Sequence, residues 1–87
     1  MPITIRFSEA TNSLFASNKA TAQDIEILLR DALSDFRNAR ERGDPRSYVA
    51  KRYPELYGDR FEKKVAEVNR RLRIAALLNT LEVEISE

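Results

Sequence analysis

The chain has 87 residues, enough for one small domain and too short for two. It contains no cysteine and no histidine, which excludes disulfides, thiolate metal sites and the commonest general base. A net charge of +1 supplies no global field to capture nucleic acid.

The opening Met1-Pro2-Ile3-Thr4-Ile5-Arg6 lacks the architecture of a secretory leader, and no apolar run reaches membrane-spanning length. A cytoplasmic protein with no membrane partner is expected. Ile3, Ile5 and Phe7 alternate with Thr4, Arg6 and Ser8, the period of a half-buried strand. Residues 9–20 are small and polar around Leu14 and Phe15, and fit a loop, a weak helix or a second strand. Thr21 has the chemistry of a helix N-cap, with Asp24 three residues later to answer it. Ile25, Leu28, Leu29, Ala32, Leu33, Phe36 and Ala39 then share one face, which predicts a helix over 22–42 ending at Gly43. Ile27 lies opposite that face, a lone aliphatic expected to be exposed.

Asp44 and Pro45 restart a helix, a capping carboxylate followed by proline in the first turn. Pro54 is expected to end it, because proline disfavours helical geometry at the preceding Tyr53. After Gly58 and a capping Asp59, a last helix is predicted over 60–79, with Phe61, Val65, Val68, Leu72, Ala75 and Ala76 as its stripe. From Ile74 to Leu78 this helix is apolar around its whole circumference, which predicts burial on several sides. Leu81 to Ser86 alternates again as a strand, and outward Glu82 and Glu84 complement outward Arg6, so the termini are expected to pair.

The expected fold is α+β and mostly helical: one domain over 1–87, two long antiparallel helices plus a short helix, and short β-strands at both termini forming a small sheet. Two strands alone are marginal in water, so either residues 13–16 add a third or the strands pair across a dimer. A thin core in so short a chain also favours a homo-oligomer, a dimer in the simplest case.

Charge is uneven along the chain. Residues 1–36 carry net −2, residues 37–73 carry net +6, and residues 74–87 hold three acids and no base. The basic middle interleaves Arg37, Arg40, Arg42, Arg46, Lys51 and Arg52 with Tyr48, Tyr53 and Tyr57. Arginine and tyrosine are enriched at binding hot spots, and the guanidinium fork suits carboxylates and phosphates. This stretch is a candidate docking surface for an acidic protein or a nucleic-acid backbone. The competing reading is a solvated helix connection with its tyrosines tucked onto the core, since Glu41, Asp44 and Glu55 dilute the field. Ile74, Leu77 and Leu78 of the apolar girdle are candidate oligomer-interface residues.

Catalytic patterns are missing from the sequence. It has no glycine-rich phosphate loop and no serine in a nucleophile elbow, and its obvious near pair of carboxylates, Glu82 and Glu84, sits on a strand face beside Arg6. No catalytic, cofactor-binding or metal-binding residues are expected.

The run Ile-Thr-Ile-Arg-Phe-Ser, followed some fifteen residues later by a capped amphipathic helix, resembles the start of ribbon-helix-helix repressors over roughly residues 3–36. The resemblance implies two ribbons paired across a dimer, with Thr4, Arg6 and Ser8 facing bases and the helix start at Thr21 anchoring a phosphate. Two functions are therefore expected in competition. The first is a non-catalytic protein-interaction module, an adaptor, regulator or inhibitor acting as a homo-oligomer; an accessory subunit of a phage or bacterial assembly would look the same. The second is a ribbon-type DNA-binding regulator.

Overall fold

The computed structural model describes residues 3–85. Along them run β1 (Ile3–Arg6), α1 (Glu9–Ala16), α2 (Lys19–Asn38), α3 (Pro45–Tyr57), α4 (Arg60–Val68), α5 (Ile74–Thr80) and β2 (Glu82–Ile85). The class is α+β and mostly helical, as the patterning predicts. β1 and β2 pair antiparallel, with Ile3 opposite Ile85 and Arg6 opposite Glu82. Ile3 is buried, and Ile5, Val83 and Ile85 pack partly against the core, while Thr4, Arg6, Glu82 and Glu84 face solvent. The Arg30 guanidinium donates to the Ile3 carbonyl and ties the sheet to α2. Ser86, which the alternation assigns to the last strand, lies outside the described residues.

Residues 9–16, open between three conformations on sequence grounds, form a helix. The Ser8 hydroxyl accepts from the Thr11 N–H at 3.2 Å and donates to the Thr11 hydroxyl at 3.0 Å, starting α1. Phe15 is buried with its ring edge-on to Phe7, centroids 4.9 Å apart. Among the described residues, the sheet therefore has two strands and no third from 13–16.

α2 begins after Asn18, earlier than the cap predicted at Thr21. The Asn18 side-chain amide donates back to the Leu14 carbonyl at 3.1 Å, closing α1 where α2 opens. Thr21 lies inside the first turn, and Asp24 reaches across to Lys64 of α4 at 3.2 Å. Ile25, Leu29, Ala32, Leu33 and Phe36 form the buried face. The helix stops at Asn38, short of the predicted 42, because the chain turns through Arg40 and Gly43, both in left-handed backbone (φ 55° and 102°).

α3 passes the predicted stop at Pro54 and ends at Tyr57. Its start is as expected: Asp44 accepts from the Arg46 N–H at 3.0 Å, with Pro45 in the first turn. Tyr53 and Tyr57 both set their rings edge-on to Phe61, at 5.7 and 6.0 Å between centroids. Keeping both rings on Phe61 requires helical spacing through residue 54, and that packing outweighs the local preference before proline.

The helix predicted over 60–79 is two helices. Asn69 takes extended backbone (φ −157°, ψ 128°), its side-chain oxygen accepts from the Arg71 N–H at 2.8 Å, and its carbonyl accepts from the Leu72 N–H at 3.0 Å. This turn resolves a mismatch in phase. The stripe of α4 (Phe61, Val65) continues through Val68 and Leu72, whereas Ile74, Leu77 and Leu78 belong to a second stripe. One straight helix cannot bury both. Among the described residues α2 is thus the one long helix; α3 and α4 pack on it and α5 packs on α3. No described helix is long and apolar enough to cross a membrane.

Candidate functional site

The basic and aromatic stretch divides into residues that tie the fold together and residues that remain available. The Tyr48 hydroxyl donates to the Asp35 carboxylate of α2, and its ring meets Phe36 edge-on at 5.3 Å. Arg52 lies over the Tyr48 ring at 6.0 Å and pairs with Glu55 at 2.6 Å and Asp35 at 3.7 Å. Tyr53 donates to Glu62 of α4 at 3.2 Å. The Tyr57 hydroxyl shares its proton between Asp31, at 2.7 Å, and the Leu28 carbonyl, at 3.2 Å. All three phenols are pushed above their ordinary value, Tyr48 chiefly by its bond to Asp35, Tyr53 and Tyr57 chiefly by burial. The shift carries them further from the neutral range in which an acid–base catalyst works.

Arg46 is a tie as well. It pairs with Asp44 at 3.2 Å and reaches the Asn79 and Leu81 carbonyls at 3.4 and 3.3 Å, locking α3 to the join of α5 and β2. Its side-chain hydrogen bond holds the Asp44 carboxyl below the usual carboxylate range. Lys51 is exposed and makes no ion pair among the described residues.

Arg40 and Arg42 differ from the ties. Both are exposed on the α2–α3 turn, and neither has an ion pair among the described residues. They border an open groove of about 850 Å³, together with Arg37 and Glu41. Phe36, Pro45 and Ile85 supply its apolar lining. The groove therefore combines an apolar floor with a rim of three arginines and one glutamate.

The first strand is arranged differently. Ser8 caps α1, and Thr4 and Arg6 sit opposite Glu84 and Glu82. These four line a shallow cleft of about 220 Å³ in which two carboxylates face one guanidinium. That balance repels phosphate, and the inner edge of β1 is occupied by the chain's own β2. No family model, curated protein or solved structure matches this chain.

The girdle residues Ile74, Leu77 and Leu78 lie inside the chain's own core, at 1, 1 and 4 % exposure. Ala75 and Ala76 face solvent. The apolar surface that suggested a second subunit is covered within one chain. Sequence reasoning passed over Arg70, Arg71 and Arg73, which the turn between α4 and α5 leaves exposed. Their signal is visible in the sequence: three arginines in four residues, with no acid between Glu67 and Glu82.

Proposed function

We propose that this chain is a non-catalytic protein-interaction module that seats an acidic, partly apolar segment of a partner protein in the groove at the α2–α3 turn. The observation that carries this reading is the pairing of Arg40 and Arg42, two exposed guanidinium groups without ion pairs among the described residues, with the apolar floor of Phe36, Pro45 and Ile85. Protein interfaces are built in this way, with an apolar centre and a polar rim that sets orientation. Arginine forks hold carboxylates bidentately, and the positive rim speeds encounter with an acidic partner.

A fluorescent peptide alternating Asp or Glu with Leu or Phe tests the reading. Binding is expected to weaken as ionic strength rises from about 0.05 to 0.5 M. The double charge reversal R40E/R42E is expected to weaken it at least tenfold, with the far-ultraviolet circular dichroism of the chain unchanged. Affinity indifferent to both salt and the reversal overturns the reading.

A further inference from the structure

We propose that the turn between α4 and α5 is a sequence-independent contact for a nucleic-acid phosphate backbone, made by Arg70, Arg71 and Arg73. The proposal does not depend on the groove at the α2–α3 turn. All three side chains are exposed, and none makes an ion pair among the described residues. On the preceding helix Glu67 pairs with Lys64 at 3.8 Å, and Glu62 accepts from the Tyr53 hydroxyl at 3.2 Å, near enough to Arg73 for that guanidinium to act on the hydroxyl electrostatically. No acid follows the turn until Glu82. The turn thus holds three positive charges within four residues of a chain whose total is only +1.

The turn is also held in shape. The Asn69 side chain accepts from the Arg71 N–H, the Asn69 carbonyl accepts from the Leu72 N–H, Leu72 packs against the core, and Ile74 is fully inside it. The backbone that carries the arginines thus has little freedom to lose on binding. Guanidinium groups match phosphate oxygens in planar, bidentate geometry.

The absence of apolar surface selects the partner. Leu72 is turned toward the core, so the exposed side chains of residues 70–73 are the three arginines. A protein partner would need an apolar centre to gain from this contact. A phosphate chain needs only charge, because releasing its counterions drives the association. Contacts to phosphate oxygens position a protein on the nucleic acid and carry no sequence information.

The test is titration of the full chain into a fluorescein-labelled DNA duplex of random sequence across a range of NaCl concentrations. Three neutralised phosphates predict a slope of log affinity against log salt of about −2.7, with non-specific dissociation constants of about 10⁻⁴ to 10⁻⁶ M at physiological salt. Each single change, R70Q, R71Q or R73Q, is expected to reduce the slope by about 0.9. The triple variant is expected to lose salt-dependent binding, and R40E/R42E to retain it. The single variants keep the slope measurable if the triple variant fails to fold. No duplex binding, a slope unmoved by the glutamine variants, or equal competition by polyglutamate at matched charge each overturns the proposal, the last by assigning the turn to acidic proteins.

Discussion

Tyr57 joins three helices through one side chain. It stands on α3, its hydroxyl reaches Asp31 and the Leu28 carbonyl on α2, and its ring meets Phe61 of α4. Tyr57→Phe keeps the ring and removes the hydrogen bond. The Leu28 carbonyl retains its partner within the helix, so the expected cost is that of an ordinary hydrogen bond, about 1 kcal/mol by urea denaturation at neutral pH. The pH dependence has a defined sign. Burial, with the bond to Asp31, raises the phenol above its ordinary value of 10.0. A group whose folded-state value is raised contributes stability that is intact below its unfolded value and lost as pH climbs through the folded one. The stability difference between wild type and Tyr57→Phe is therefore expected to shrink above pH 10. A difference that is the same at about pH 8 and about pH 11 contradicts this account of the hydroxyl.

At the scale of elements, α3 shows a local rule yielding to packing. Pro54 deprives the helix of one N–H bond to the Ala50 carbonyl, and its own side chain is exposed. Pro54→Ala restores that donor without emptying any buried space. Helix propensity favours alanine by about 3 kcal/mol, offset in part by the extra freedom of the unfolded chain, about 1 kcal/mol. A net gain of about 1–2 kcal/mol in urea denaturation is expected; destabilisation would mean that the proline ring itself organises the end of α3. What the sequence reveals and conceals follows the same division between local and distant causes. The strands are legible because Ile3, Ile5, Val83 and Ile85 alternate with polar residues, and the buried face of α2 because its apolar residues recur at three and four. The start of α2 is not, since Asn18 and Thr21 have equivalent cap chemistry and the choice between them depends on the end of α1. The break after Val68 is encoded as a slip of phase between Leu72 and Ile74, which looks like surplus apolar surface when one helix is assumed. Arg40 and Arg42 are recognisable as basic residues near tyrosines. That Tyr48, Tyr53, Tyr57 and Arg52 are ties instead depends on Asp31 and Asp35 of α2 and Glu62 of α4, partners that no local pattern announces.

At the scale of the whole molecule, the question is whether one short chain can cover its own core. α2 carries α3 and α4, α5 packs on α3, and the terminal strands close over Ile3 and Leu81. Leu77 belongs to the same buried cluster as Phe61, Val65 and Val49, at 1 % exposure. Its contacts lie within one chain, which leads to a prediction about concentration as well as stability. Leu77→Ala is expected to cost about 2–5 kcal/mol, the range for a leucine deleted from a packed core. That is a large fraction of the total for a domain of this size, so Leu77→Val serves as a milder companion with a smaller shift in the same direction. For both variants the shift of the unfolding midpoint is expected to be independent of protein concentration. Unfolding coupled to dissociation makes the midpoint rise with concentration. If the penalty at Leu77 grows on dilution, the helix from Ile74 to Thr80 is stabilised by a second copy, as the self-association expected from the thin core requires.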